Sequence, residues 1–294
     1  MRNRVAATAL AVATALAATL IAPALATADA GEPTPFAATG RAAGNGLISV
    51  GLTSDQRLVG FRVAHADDIW SFGRVAGLSK DRKLVGIDFR VQNGKLYGVG
   101  DKGGVYTVNS RAKAVKVSQL TVALAGAHFG IDFNPAANRL RIISDTGQNL
   151  RHNIDDPAAP RTTTTDGTLT NPTMPPSTAL GVTGAAYTNN DLDATTATSL
   201  FDIDTVNDRV SLQSPANAGT LAPTGGLGVN AGPSAGFDIY YRPSTGSNRG
   251  FAALSTGGKQ RLYRVNVLNG EADLLGSFPD RYRVTDIALP LNQN

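Results

Sequence analysis

Cysteine is absent from the 294-residue sequence, and glutamate and histidine are scarce, so several kinds of chemistry are excluded at once. Without cysteine the chain forms no disulfide, offers no thiol nucleophile and builds no thiolate site for zinc or an iron–sulfur cluster. Glutamate occurs only as Glu32 and Glu271, against 21 aspartates, which excludes a mechanism needing two glutamates in the folded domain. The three histidines, His65, His128 and His152, include no i, i+4 pair, so a helical zinc motif is excluded as well.

Long hydrophobic runs are missing after residue 30, and the run at the start has the features of a secretory signal. Two arginines precede an apolar run over residues 5–21, and small residues with several A-x-A choices follow it. We therefore predict a cleaved signal peptide over residues 1–30 and a secreted, extracellular protein. The alternative is an uncleaved anchor helix, and no second membrane span is expected. A flexible lead-in over residues 31–46 and one β domain over residues 47–290 would follow.

Charge of one sign is not concentrated anywhere in the chain. The formal net charge is +4, and no block of five like charges occurs. This pattern is typical of a mixed, solvated surface, so we expect no nucleic-acid partner, and we expect a monomer.

A four-residue pattern recurs along the chain. It occurs as GIDF at 86–89, GIDF at 130–133, GAAY at 184–187, GFDI at 236–239 and TDIA at 285–288. The aligned positions 88, 132, 186, 238 and 286 lie 44 to 54 residues apart, a period that indicates an array of small sheet units.

Each repeat contains short β-rich runs separated by turn residues. In the second repeat the predicted strands are residues 86–91, 95–100, 105–109 and 114–120, and Asn93-Gly94 between the first two is a strong hairpin signal. The third and fifth repeats follow the same plan. The fourth fits least well: we interpret Leu200-Phe201-Asp202-Ile203-Asp204 as its third strand, and its register stays open. We expect Asn217–Ala235 to be a long loop.

The two ends of the repeat array complete each other. Residues 47–79 supply three strands without a preceding GxDF pattern, and residues 284–289 supply that pattern alone. A ring closed by pairing of its last and first strands has no free sheet edge. We therefore predict an all-β, five-bladed β-propeller whose C-terminal strand is the innermost strand of the first blade. A β-sandwich or an open β-array is the alternative.

At these residues the chain resembles a known bacterial family, domain-of-unknown-function family 4394. The matching segments are GIDFRVQNGKLYG at 86–98, FGIDFNPAANRLR at 129–141, AAYTN at 185–189 and LFDID at 200–204, and the likeness covers about residues 47–290. The resemblance implies an exported, propeller-like domain. It implies no activity and no catalytic residues.

The recurring aspartates, Asp88, Asp132, Asp238 and Asp286, are the first candidate site; the fourth repeat has Ala186 instead. Four carboxylates around a central channel could bind a hard cation such as Ca²⁺. A structural role is the other interpretation, and repetition favours it: each carboxylate would accept hydrogen bonds from backbone N–H groups of the next blade.

A second candidate site lies at the end of the ring where the connections into the innermost strands are found. Its predicted residues are His128, Asp101, Asp145, Arg82 and Arg281. Because basic residues are in excess there, this face could receive an anionic polymer or a protein partner.

Two functions are compatible with these patterns. The first, which we favour, is a secreted binding or interaction module for an extracellular ligand, since no catalytic motif is assembled. The second is a propeller hydrolase or lyase that uses Ca²⁺ or an Asp/His pair. The sequence has no Gly-x-Ser-x-Gly motif in support of a serine hydrolase.

Overall fold

The computed structural model describes Phe36 and residues 46–293, in which twenty-two strands are found. They are β1 (Ile48–Thr53), β2 (Arg57–Arg62), β3 (His65–Arg74), β4 (Leu84–Arg90), β5 (Lys95–Gly100), β6 (Gly104–Val108), β7 (Ala114–Gln119), β8 (Phe129–Asn134), β9 (Arg139–Ser144), β10 (Asn149–His152), β11 (Thr163–Thr165), β12 (Thr170–Asn171), β13 (Ser177–Thr178), β14 (Val182–Tyr187), β15 (Leu200–Asp204), β16 (Arg209–Gln213), β17 (Leu221–Gly226), β18 (Ala235–Arg242), β19 (Ser247–Thr256), β20 (Lys259–Val265), β21 (Ala272–Ser277) and β22 (Val284–Ala288).

Twenty of the described strands form five four-stranded antiparallel sheets, the blades. Their strand orders are β22-β1-β2-β3, β4-β5-β6-β7, β8-β9-β10-β11, β14-β15-β16-β17 and β18-β19-β20-β21. We number these blades 1 to 5. The innermost strands β22, β4, β8, β14 and β18 contact one another in that order, and β18 contacts β22 again. The predicted five-bladed β-propeller is therefore confirmed.

Blade 1 closes the ring by joining the last strand to the first. β22 pairs antiparallel with β1, with Val50 opposite Ala288 and Leu52 opposite Asp286. A further backbone hydrogen bond runs from Ser54 N to the carbonyl of Arg283 at 2.8 Å. The C-terminal strand is thus the innermost strand of the first blade, as the split repeat predicts.

The turns and the narrow centre explain where glycine recurs. At the predicted Asn-Gly hairpin, Gly94 has a φ of +65° and its N–H donates to the carbonyl of Arg90, a conformation that favours glycine. In the inner strands the reason is space: a Cβ at Gly236 would lie 2.4 Å from Cα of Asp286 in the next blade. The first residue of the GxDF pattern is therefore glycine because neighbouring inner strands approach closely.

Apolar side chains from adjacent blades pack against each other and form the core. Tyr97 of blade 2 meets Phe133 of blade 3 edge to face, with ring centroids 5.1 Å apart. Phe36, from the predicted lead-in, is 7% exposed. Its ring centroid lies 5.0 Å from that of Phe72 and 5.7 Å from that of Phe89. The rest of residues 31–45 and the predicted signal peptide lie outside the described residues.

The structure of blade 4 shows that two interpretations of the sequence were wrong. Leu200–Asp204 is the second strand of its blade, not the third, because the polar segment 188–199 after β14 forms turns and no strand. The predicted loop Asn217–Ala235 contains β17, the fourth strand, which pairs with β16 despite carrying Pro223. An edge strand tolerates this proline because one side of its backbone needs no partner.

The described residues include no helix long and apolar enough to cross a membrane.

Candidate functional site

Three of the four recurring carboxylates converge at the centre of the ring. Asp88, Asp132 and Asp238 each offer an oxygen, and these oxygens lie within 4.8 Å of one another. The three residues are 4%, 1% and 3% exposed, and Asp286 is 6% exposed. We call Asp88, Asp132 and Asp238 the carboxylate cluster.

Three of the four carboxylates also link adjacent blades. In each case one oxygen accepts a hydrogen bond from a backbone N–H in, or directly after, the innermost strand of the next blade. The pairs are Asp286 with Ile87 N at 2.7 Å, Asp88 with Phe133 N at 2.8 Å, and Asp238 with Leu289 N at 2.6 Å. These contacts are of the kind that a structural role requires, and they bridge blades 1 and 2, 2 and 3, and 5 and 1.

Asp132 differs from the other three. Neither of its carboxylate oxygens accepts a hydrogen bond from any residue that the structure describes, and Oδ1 of Asp238 is likewise without a donor. The N–H of Tyr187, in the next blade, lies near Asp132 but does not reach hydrogen-bond geometry. Ala186 offers no carboxylate on that side. The hydrogen-bonded ring of carboxylates is thus incomplete at blades 3 and 4.

Burial raises the pKa values of the cluster, and repulsion between carboxylates adds to the shift at Asp88 and Asp132. Burial raises the pKa of Asp88 well above its ordinary value, and the charge of Asp238 raises it further. Burial likewise raises the pKa of Asp132, with added repulsion from Asp88 and then Asp238. Burial raises the pKa of Asp238 to about 6, although the N–H of Leu289 opposes the shift. Three mutually repelling carboxylates therefore favour binding of a proton or a cation at this point.

Sequence reasoning did not identify a second group of buried charges between blades 3 and 4. Arg141, 2% exposed, pairs with Asp166 at 2.6 Å and also donates to Asn149, Tyr187 and Asn217. These contacts join strands β9, β10 and β14 to the segment after β16. The residues are far apart in the sequence, and no spacing rule connects them.

Asp202 is a further buried carboxylate in blade 4. It is fully buried in β15, and neither of its oxygens has a hydrogen-bond donor among the described residues. Burial raises its pKa well above the ordinary value, and the charge of Arg141 opposes the shift. It is not part of the carboxylate cluster.

The predicted ligand-face residues occupy the end of the ring that we call the His128 face, where the connections into the innermost strands lie. Asp101 and Arg82 meet there, because the carboxylate of Asp101 accepts a hydrogen bond of 2.8 Å from Arg82 N. Arg281 lies over the ring of its neighbour Tyr282, 5.0 Å from the centroid.

His128 and Asp145 are neighbours on the same face, but through the backbone. Asp145 N donates to the carbonyl of His128 at 3.1 Å, and the Asp145 carboxylate accepts from Ala127 N at 3.0 Å. Among the described residues no hydrogen bond joins the two side chains. Asp145 thus stabilises the loop before β8 in the way that Asp101 does in blade 2.

A groove lies on the opposite end of the ring, between blades 4 and 5, at the turns joining first to second and third to fourth strands. Its volume is about 610 Å³, and its walls include Phe201, Arg249, Arg264 and Leu268. A second cavity of about 420 Å³ shares both arginines and lies between blades 5 and 1, where Phe251, Leu47 and Val63 are among its apolar lining residues. We call the two cavities together the Arg249 groove.

The two arginines differ in their contacts. Arg264 pairs with Asp273 at 2.7 Å at an exposed position. Arg249 is exposed and forms no ion pair or side-chain hydrogen bond with residues 46–293. Because Arg249 borders both cavities, its guanidinium is available to a ligand that enters either one.

The fold and its inner-strand pattern define a five-bladed β-propeller domain. The model of the family "Domain of unknown function (DUF4394)" matches residues 57–288, and the chain belongs to that family. A comparison with curated proteins gave no match.

Several solved structures are similar in arrangement. An auxiliary nutrient binding protein from Bacteroides ovatus has a TM-score of 0.42 and 13% identity, over 75% of this chain and 56% of that one. PorZ of Porphyromonas gingivalis, a surface component of the type-IX secretion system, has a TM-score of 0.37 and 16% identity, over 80% and 30%. The computationally designed Ika8 protein has a TM-score of 0.36 and 12% identity, over 84% and 66%. The chain spans little more than half the length of the nutrient binding protein.

Proposed function

We propose that this propeller is an exported binding module and that its ligand is an anionic extracellular polymer bound in the Arg249 groove. The observation that carries the proposal is the unpaired guanidinium of Arg249 at the junction of the two cavities. Guanidinium groups bind carboxylates, sulfates and phosphates through paired, charge-assisted hydrogen bonds.

The shape of the groove favours a chain-like ligand over a single small anion. The two cavities adjoin at Arg249 and Arg264, so an occupant that contacts both must extend past the arginines. In the smaller cavity the arginines share the lining with apolar residues that include Phe251 and Leu275. An acidic polysaccharide offers both a charged group for the arginines and apolar sugar faces for these apolar side chains.

Binding without turnover fits the side chains better than hydrolysis does. The described residues that line the Arg249 groove include no histidine, and its two carboxylates are Asp273, which is paired with Arg264, and the exposed Glu271. On the other face, the side chains of His128 and Asp145 are not joined as a base and its orienting group would be. The side chains at these two sites therefore favour an interaction module over an Asp/His-dependent enzyme.

Binding of defined polymers to the purified chain tests the proposal. The probes are polygalacturonate, dextran sulfate and polyphosphate, with methyl-esterified polygalacturonate as the uncharged match. We expect at least one polyanion to bind and the esterified polymer to bind at least tenfold more weakly. Arg249→Gln should weaken polyanion binding at least tenfold, because it removes the unpaired charge at the groove.

The matched control is Arg82→Gln, which removes an exposed arginine from the His128 face. We expect this variant to bind within about twofold of the parent, since charges far from the site change affinity little. Equal loss in Arg82→Gln, or no binding of any polyanion, would refute the proposed site. Repeated cleavage of the bound polymer would refute a function limited to binding.

A further inference from the structure

The oxygen atoms of the carboxylate cluster have the spacing of ligands around one metal ion. Calcium ligands lie about 2.3–2.6 Å from the ion, so two oxygens on opposite sides of it are separated by at most about 5 Å. The oxygens of Asp88, Asp132 and Asp238 lie within 4.8 Å of one another, inside that limit.

The unpartnered oxygens of Asp132 are an independent sign of a missing ligand. A carboxylate that is 1% exposed normally accepts hydrogen bonds from its surroundings, because a buried and unpaired polar group is costly. Neither oxygen of Asp132 does so within the described residues, and Oδ1 of Asp238 is also without a donor. Both of these carboxylates contribute an oxygen to the cluster, so the unpartnered oxygens belong to side chains that converge on one small volume.

We propose that Asp88, Asp132 and Asp238 bind a single divalent cation, Ca²⁺, at the centre of the ring. The cation would supply the partner that Asp132 lacks and would tie together innermost strands of blades 2, 3 and 5. Asp88 can take part although both of its oxygens accept backbone hydrogen bonds, since each carboxylate oxygen has two lone pairs.

The donor set selects a hard cation. It consists of carboxylates, and the chain has no cysteine to offer a thiolate. Zinc prefers nitrogen and sulfur ligands, whereas calcium and magnesium prefer oxygen. Calcium is the better choice of these two, because it tolerates the irregular geometry of three side chains fixed by separate blades. The nearby carboxylate of Asp286 adds negative charge that favours a divalent ion.

Metal content and thermal unfolding of the full chain test this site. Metals are first removed with a chelator, and the chain is then dialysed against calcium. It should retain one equivalent of calcium, as measured by mass spectrometry of the metal. At a calcium concentration a hundredfold above Kd, the melting temperature should rise by about 5–10 °C. Magnesium at the same concentration should give a smaller rise. Substoichiometric calcium together with an unchanged melting temperature would overturn the proposal and would favour carboxylates that share protons.

Two asparagine variants separate a metal ligand from a merely buried acid. Asp132→Asn should abolish the calcium-dependent rise and the bound calcium. Asp202→Asn removes another fully buried, unpartnered carboxylate outside the cluster and should keep both. If Asp132→Asn fails to fold, Asp238→Asn gives the same test, and the metal content of the parent chain decides independently. A calcium response that persists in both Asp132→Asn and Asp238→Asn would place the cation elsewhere.

This site is separate from the Arg249 groove. Arg249→Gln should therefore keep the full calcium response, so failure of either proposal leaves the other to be judged on its own measurements.

Discussion

The carboxylate of Asp286 accepts a hydrogen bond of 2.7 Å from the backbone N–H of Ile87, although 199 residues separate the two in sequence. Leu289, the residue that follows β22, donates its backbone N–H to Asp238 in blade 5 at 2.6 Å. β22 is thus held by blades 2 and 5 as well as by its own sheet. The closed ring depends on the close approach of these inner strands.

Adding one methyl group at the junction of blades 5 and 1 should be strongly destabilising. In Gly236→Ala the new Cβ would lie 2.4 Å from Cα of Asp286, and backbone atoms cannot rotate away. We expect the free energy of unfolding to fall by about 3 kcal/mol, measured by chemical denaturation. Gly226→Ala is the control, because its Cβ would meet nothing closer than 3.8 Å, and it should change stability by less than about 1 kcal/mol. Similar denaturation midpoints for the two variants would contradict the tight junction.

Removal of the buried guanidinium between blades 3 and 4 should lower the free energy of unfolding more than removal of an exposed one. Arg141→Met leaves Asp166 with only Arg151 as an ion-pair partner. We expect a loss of about 2–4 kcal/mol in unfolding free energy. The control is Arg57→Met, which breaks an ion pair whose side chains are 44% and 46% exposed and should cost about 0–1 kcal/mol. Equal effects would show that the Arg141 contacts contribute little.

The buried His152 should make the fold sensitive to acid. Its Nε2 and Nδ1 lie 2.7 Å from the Ser118 hydroxyl and 3.1 Å from the Thr163 hydroxyl, and burial lowers its pKa from 6.5 to about 4. Since the folded state disfavours the charged form, its stability contribution is complete above pH 6.5 and is lost as the pH falls toward 4. The full loss is on the order of 3 kcal/mol.

Comparison with His152→Gln isolates this contribution from the buried carboxylates. The variant keeps a polar side chain but cannot titrate. We expect the stability difference between parent and variant to shrink steadily from pH 7 to pH 4. A difference that does not change with pH would show that His152 titrates normally in the folded chain.

The Asp202→Asn variant should become more stable relative to the parent chain as the pH rises. Burial raises the pKa of Asp202, so the folded state binds its proton more tightly than the unfolded state does. Parent stability therefore falls as the pH rises from 3.8 toward the folded pKa, and the amide removes this dependence. Denaturation of parent and variant between pH 4 and pH 8 measures the effect. A constant offset over that range would contradict a raised pKa.

Local sequence patterns were sufficient to predict most of the ring. The Asn93-Gly94 hairpin and the GxDF pattern identified blade 2 strand by strand, because turn residues and alternation act over short distances. The closing role of Val284–Ala288 followed from counting, since an incomplete first unit needed one more strand. Leu200–Asp204 was assigned to the wrong strand because a second strand can resemble a third strand: β15 (LFDID) and the third strand β6 (GVYTV) are both short, apolar and largely buried.

The candidate sites were less predictable, because they depend on contacts between blades. The repeat predicted that Asp88 and Asp132 occupy equivalent positions, but not that Asp132, alone among the described recurring aspartates, would lack hydrogen bonds to both oxygens. Arg249 gave no sequence signal at all. Its environment is assembled from blades 4, 5 and 1, and no rule of spacing within one blade connects these residues.

Because β22 pairs with β1, blade 1 is the last blade to be completed during synthesis. Blade 1 lacks its innermost strand until residue 288 has left the ribosome, whereas blades 2 to 5 are each encoded without interruption. A growing chain therefore carries an unfinished sheet throughout synthesis, and that edge is open to pairing with other molecules. Fragments truncated before Val284 should aggregate during translation, while the complete chain protects the same edge.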